Sequence, residues 1–233
     1  MFKESRVVVT GGAGALGQAV VSYFEERGAR VAVLDYSDEI LTGAFSDQSA
    51  GNLYLACDLT NRDSCASVVK NILGEFGGID ILCNIAGGFL MGEMVHETTD
   101  KTWDFLFNLN SRSILNMGAV IVPEMLKAKK GKIVNIAARA ATAGAAAMGA
   151  YTASKAVVMR LTESMALELR ENNINVNCIL PGVIDTERNR LDMPDADHGA
   201  WVSPADIAKV IGFLASEDAG AVHGAGIPVD GLS

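Results

Sequence analysis

Seven short runs rich in valine, isoleucine and leucine recur along the chain: RVVVT (6–10), RVAVLD (30–35), LYLAC (53–57), IDILCN (79–84), KIVNIA (132–137), INVNCIL (174–180) and IPVD (227–230). Their apolar positions are consecutive rather than alternate, so the strands they form are buried on both faces. Between them lie segments of helical period, at 16–27, 62–76, 102–127, 151–170 and 204–215. Buried strands alternating with helices across short loops give a parallel sheet covered on both sides. The expected fold is therefore α/β, a doubly wound parallel sheet of seven strands. No repeat, low-complexity tract or linker breaks the series, and 1–233 reads as a single domain.

Composition narrows the functions open to such a fold. The chain has 233 residues, 49% hydrophobic and 20% charged, enough for one substantial core. A net charge of −9 and the absence of a long basic patch argue against a nucleic-acid partner. Cys57, Cys65, Cys83 and Cys178 form no CxxC pair, and Cys57, Cys83 and Cys178 sit in apolar runs as expected of buried thiols. The three histidines, His96, His198 and His223, are scattered, and no metal site is legible. Strand-like sequence begins within five residues of the N-terminus, and no apolar run reaches spanning length. The expectation is a protein of the reducing cytoplasm with no membrane partner.

After the first strand comes TGGAGALG (10–17), opening directly into a helix. Gly12, Gly14 and Gly17 satisfy G-x-G-x-x-G, a pattern that lets backbone N–H groups approach a pyrophosphate at the positive helix end. Glycine-rich turns also serve packing; here the strand before and the helix after favour a dinucleotide site of Rossmann type. The second strand ends in Asp35, eighteen residues past Gly17. A carboxylate there accepts from ribose hydroxyls and repels a 2′-phosphate. Gly12, Ala13 and Tyr36 offer no cation for such a phosphate, so NAD(H) is expected over NADP(H).

Tyr151 and Lys155, four residues apart on a helix, share one face. A free phenol, with a pKa of about 10, is a poor proton shuttle at neutral pH. A neighbouring ammonium, aided by the positive nicotinamide, is expected to bring it toward the working range.

With YTASK (151–155) in place, the chain resembles the short-chain dehydrogenase/reductase family over nearly its whole length. The resemblance runs through TGGAGALG, CDL (57–59), NIAGG (84–88), WDFLFNLN (103–110), PGVIDT (181–186) and GAGIPVDG (224–231). It implies an oxidoreductase that moves hydride between NAD and a small carbonyl, hydroxyl or quinonoid substrate. Tyr151 would donate or accept the proton, Lys155 hold the nicotinamide ribose, and Asn110 support a proton relay. The turn from Gly11 and Gly12 through Gly14, Ala15, Leu16 and Gly17 would carry the pyrophosphate, with Ala15 where the family has glycine. Asp35 would meet the adenosine ribose and Asp58 the adenine, with Tyr36 and Leu59 beside them also at the cofactor. Asn84, Ala86 and Gly87 would line the adenosine side. Pro181 and Gly182 would bind the cofactor, with Ile184 and Thr186 at the carboxamide of its nicotinamide.

The family's serine, thirteen residues before the tyrosine, is here Ala138. The dihydropteridine-reductase branch also lacks it, and GGAGALG, DILC (80–83), AGG (86–88), Ala138-Arg139 and NRLDMPDADHGAW (189–201) are similar to that branch. A catalytically impaired NAD-binding regulator is the alternative. The region 186–203 is expected to form a lid, with Ala138, Arg139, Met193 and Trp201 toward the substrate and His198 as a polar handle. Small or apolar residues in the segments 102–127 and 151–170, assigned by the resemblance to a subunit interface, suggest a homotetramer or homodimer.

Overall fold

The computed structural model describes residues 2–47 and 49–232, and the seven apolar runs form its seven strands. These are β1 (Arg6–Thr10), β2 (Arg30–Asp35), β3 (Leu53–Ala56), β4 (Ile81–Asn84), β5 (Gly131–Ile136), β6 (Ile174–Pro181) and β7 (Gly226–Val229). All pair in parallel, in the order β3-β2-β1-β4-β5-β6-β7. The winding reverses between β1 and β4, and in open α/β sheets ligands bind outside the strand ends at such a reversal. Register brings Thr10, Asn84 and Asn135 into one row across the carboxyl ends of β1, β4 and β5.

Eight helices, among the described residues, cover the sheet: α1 (Ala15–Glu25), α2 (Asp38–Ala44), α3 (Arg62–Phe76), α4 (Asp100–Phe107), α5 (Ser113–Ala128), α6 (Gly149–Leu169), α7 (Glu187–Asp192) and α8 (Pro204–Ala215). On one face Val7, Val9, Val31 and Val33 pack with Phe24 of α1 and Ile207 and Ile211 of α8. The intervening Val8, Ala32 and Leu34 turn the other way, against Ile72 of α3 and Met117 and Ile121 of α5. Both faces of β1 and β2 are thus used, which is why these runs are continuously apolar. Truncating the fully buried Phe24 or Ile72 to alanine would cost about 2–5 kcal/mol.

Three elements differ from the sequence expectation. The segment 102–127 is not one helix: a π-helical turn, Asn108–Arg112, separates α4 from α5. Helices α2 and α7 were not expected, and they bury only Leu41 and no residue respectively.

Candidate active site

The carboxyl ends of the strands open onto a cleft of about 1630 Å³, above the range of about 300–1,000 Å³ usual for a small-molecule pocket. Its nucleotide end is built by close backbone approach. Gly11 has φ 64°, and a Cβ there would lie 2.7 Å from Ala86 Cα. A Cβ on Gly17 would run into the Gly11 carbonyl oxygen and come within 2.7 Å of Gly12 Cα. Gly12 lies under the turn against Val33 and off the cleft wall, whereas Gly14 has room for a methyl. The tight positions are therefore Gly11, Gly12 and Gly17, not Gly12, Gly14 and Gly17.

Side chains cap α3 through Asn61, α4 through Thr99 and α8 through Ser203. By contrast, α1 starts at Gly14 with no side-chain cap and no acidic residue in its first turn. Ala15, Leu16 and Gly17 in that turn border the cleft, so its positive end is open to an anion. Asp35 accepts from the backbone N–H groups of Ala13 (3.0 Å) and Tyr36 (2.8 Å), which fixes its carboxylate at the cleft wall. Tyr36 stands on the rim, 71% exposed. Asp58 and Leu59 continue the wall, Asp58 accepting from the N–H and hydroxyl of Thr60. An open helix end, a glycine cradle and a fixed carboxylate together fit a dinucleotide.

Ala86 and Gly87 form the wall beyond β4, held by Thr10 Oγ1, which accepts from the N–H groups of Ile85 (3.1 Å) and Ala86 (3.3 Å). Asn84 does not reach the wall. It is buried below, donating to Asn135 Oδ1 (2.8 Å), and Asn135 donates to Thr162 Oγ1 (2.9 Å).

Helix α6 brings Tyr151 and Lys155 to the same cleft. Lys155 Nζ donates to the Ile136 carbonyl (2.9 Å), and a Cβ on Gly87 would lie 3.0 Å from it. Tyr151 packs edge-on against Phe89, ring centres 4.8 Å apart. Burial pushes the Tyr151 phenol up to about 12 and the Lys155 ammonium down to about 8. In the protein alone, desolvation dominates at both groups; the expected lowering of the phenol concerns the site with the positive nicotinamide beside it.

Asn110 lies in the π turn. Its carboxamide accepts from Gly88 N (2.8 Å) and donates to the Gly88 carbonyl (3.0 Å) and Ser154 Oγ (2.9 Å). That side chain ties the β4 loop to α6 and lies behind the wall rather than on it.

Ala138 lies beside this centre and offers no donor. The hydroxyl of Thr142 is no substitute, since it donates to the Arg139 carbonyl (2.8 Å). Arg139 borders the cleft and pairs with Asp230 at 3.2 Å. Phe89, Met91, Phe105, Leu109, Met148 and Met193 give this end an apolar wall. Pro181, Gly182, Ile184 and Thr186 line the cleft past β6. The following segment is clipped at its neck, where Asp185 N donates to the Val202 carbonyl (2.8 Å) and Val202 N to the Val183 carbonyl (3.1 Å). Trp201 is not on the cleft wall; it packs against His198, ring centres 4.4 Å apart. Sequence reasoning missed Phe89, Thr10, Ser154 and Asp230, although each lies in or next to a quoted motif.

The sheet, the glycine turn and the Tyr–Lys helix define a Rossmann-fold oxidoreductase site. The chain belongs to the short-chain dehydrogenase/reductase family, whose "short chain dehydrogenase" model matches residues 5–196. It is 33% identical to a cyclopentanol dehydrogenase of Comamonas testosteroni, over 97% of this chain and 95% of that one. It is 34% identical to an NAD-dependent glycerol dehydrogenase of Listeria innocua, over 96% and 91%. The solved structure of an NAD+-bound xylitol dehydrogenase superposes with a TM-score of 0.89 at 25% identity, covering 99% of each chain.

Proposed function

We propose that the protein is an NAD(H)-dependent oxidoreductase acting on a small, apolar, activated acceptor such as a quinonoid, iminium-like or conjugated carbonyl compound. The observation that carries this reading is the meeting of Tyr151 and Lys155 with the glycine turn and Asp35 in one cleft. The open end of α1 would hold the pyrophosphate, Asp35 the adenosine ribose, and Asp58 with Leu59 the adenine. Lys155 would hold the nicotinamide ribose, with Ile184 and Thr186 at the carboxamide. Bound there, the nicotinamide supplies or accepts a hydride. Tyr151 Oη is the group that gives or takes the proton at the substrate atom. Burial keeps the phenol protonated across the neutral range, so Tyr151 holds the proton it would give.

Cofactor choice rests on charge. Among the described residues, the cations on the cleft wall are Lys155, beside Ile136 and Gly87, and Arg139, paired with Asp230. Neither answers a phosphate at Asp35. NADH is therefore preferred over NADPH, and the NAD dependence of the Listeria relative and the NAD+ bound to the xylitol dehydrogenase support this. Asp35→Ala should narrow the preference by about tenfold, a change of about 1.4 kcal/mol, measured as the ratio of kcat/KM values. Equal efficiency with both cofactors in the parent would overturn the preference.

Residues 1–233 act as one catalytic domain with 186–203 as its lid. Exposed Trp103, Phe105, Leu115 and Leu167 on α4, α5 and α6 support a homotetramer, and the net charge and thiols suit a cytoplasmic protein. Among the described residues no helix is long and apolar enough to cross a membrane.

NADH oxidation against quinones, quinonoid pterins, imines and ketones tests the activity. A second reading, an NAD-binding regulator, rests on Ala138; binding of NADH with no turnover across that panel would establish it instead.

A further inference from the structure

Cys57 and Cys65 are eight residues apart, yet the turn from β3 into α3 brings their sulfurs to 4.0 Å. Cys57 borders the cleft, with Cys65 buried behind it. Ser64 Oγ donates to Cys57 Sγ (3.8 Å) and accepts from Asp58 N (3.1 Å). Cys65 Sγ lies 3.8 Å from the carbonyl oxygens of Asp58 and Leu59. The two thiols are unequal. Hydrogen bonds with Cys65 and Ser64 hold the Cys57 thiol below its usual range, while Cys65 is pushed up and keeps its proton.

We infer that Cys57 and Cys65 are a modification site, a dithiol in the wall of the nucleotide cleft that hydrogen peroxide or a small hydroperoxide oxidises to a disulfide. The Cys57 thiolate attacks one peroxide oxygen, the O–O bond breaks, and the departing hydroxide takes a proton to become water. Cys65 sulfur then attacks the sulfenic acid: the S–S bond forms, and the second oxygen leaves as water with the Cys65 proton. Two thiols lose two electrons and the peroxide gains them; a dithiol reductant reverses the change. Cys83 and Cys178 differ: neither borders the cleft, and burial pushes each thiol upward, Cys178 to about 11.

The consequence for the cofactor rests on the reading that Asp58 and Leu59 hold the adenine. Closing the sulfurs from 4.0 Å to about 2.05 Å draws Cys65 off the two carbonyls that position those residues. Oxidation should weaken NADH binding about fivefold or more. Bound NADH should in turn slow oxidation, because it covers the approach to Cys57.

The experiment treats the protein with hydrogen peroxide, with and without NADH, blocks free thiols with N-ethylmaleimide, and maps tryptic peptides by mass. Cleavage after Arg62 separates the two cysteines, so the disulfide joins two peptides that reduction releases. The expected result is that joined pair, formed more slowly with NADH and absent in Cys65→Ser. Its absence from peroxide-treated parent, or oxidation of Cys83 or Cys178 ahead of Cys57, overturns the dithiol. An NADH dissociation constant unchanged by the cross-link overturns the coupling. A reduced protein that binds no NADH overturns the cofactor reading instead, and the mass of the joined peptides still decides the dithiol.

Discussion

At the nucleotide end of the cleft, Gly11, Gly12 and Gly17 set backbone against backbone or against Val33, leaving no room for a methyl. At the substrate end, Phe89, Met91, Met148 and Met193 form a wall of side chains, three of them unbranched thioethers that repack easily. One end is fixed by steric exclusion and the other is adaptable. The similar cyclopentanol, glycerol and xylitol dehydrogenases fit this division, since a common cofactor end can serve different substrate ends.

The largest blow to the substrate end should come from Tyr151→Phe. The phenyl ring keeps the edge-on contact with Phe89 and removes the proton, so kcat should fall about 10²–10⁴-fold. NADH binding, followed by fluorescence titration, should be retained. A variant that kept most of its turnover would separate the proton step from Tyr151.

Lys155 stands where the two ends meet, and its burial makes stability depend on pH. Below about pH 8 folded and unfolded chains both carry its proton, and the folded state bears the full desolvation penalty. Between about 8 and 10.5 the unfolded chain binds more protons, so stability rises with pH. The rise should total about 3 kcal/mol in urea melts and be missing in Lys155→Met. Above pH 10 Tyr151, which holds its proton up to about 12, pulls stability back down. A parent and variant with the same slope between pH 8 and 10 would show that Lys155 is solvated in the folded protein.

The nucleotide end is sharpened by a paired glycine test. Gly17→Ala forces a methyl onto the Gly11 carbonyl and should destabilise by about 1–3 kcal/mol. At Gly14 the nearest atom would be 3.5 Å away, with φ −70°, so Gly14→Ala should leave the melting temperature unchanged or raise it. Equal losses at both positions would mean the turn relaxes, and the contrast between the two ends would dissolve.

What the sequence could reveal follows the same division. Strand positions were legible because the parallel sheet makes every residue of RVVVT or KIVNI apolar, apart from Arg6, Thr10, Lys132 and Asn135. The glycine turn, Asp35 and the Tyr151–Lys155 spacing are local patterns that survive in one dimension. The π turn at 108–112 did not show, because one wide turn changes helical phase without breaking the run of apolar residues. Helix α7 buries nothing and so leaves no apolar stripe to read. Nor does spacing reveal that Cys57 meets Cys65, that Arg139 meets Asp230, or that Trp201 turns away from the cleft.

The smallest effect is the most informative about the substrate end. Hydride addition to a plain ketone builds negative charge on oxygen, where a second donor beside the tyrosine matters. Losing such a donor costs about 10²–10³ in rate. A quinonoid ring spreads the charge and gains aromatic character, so Tyr151 suffices. Ala138 is 7% exposed and borders the cleft, which places a serine hydroxyl there beside the reacting centre. Ala138→Ser should therefore raise kcat/KM for simple ketones several-fold, short of the full loss because the apolar wall was not shaped to orient a hydroxyl. Quinonoid reduction should hardly change. If the parent already reduces unactivated ketones well and the serine adds nothing, the apolar wall, and not the missing donor, sets what this protein reduces.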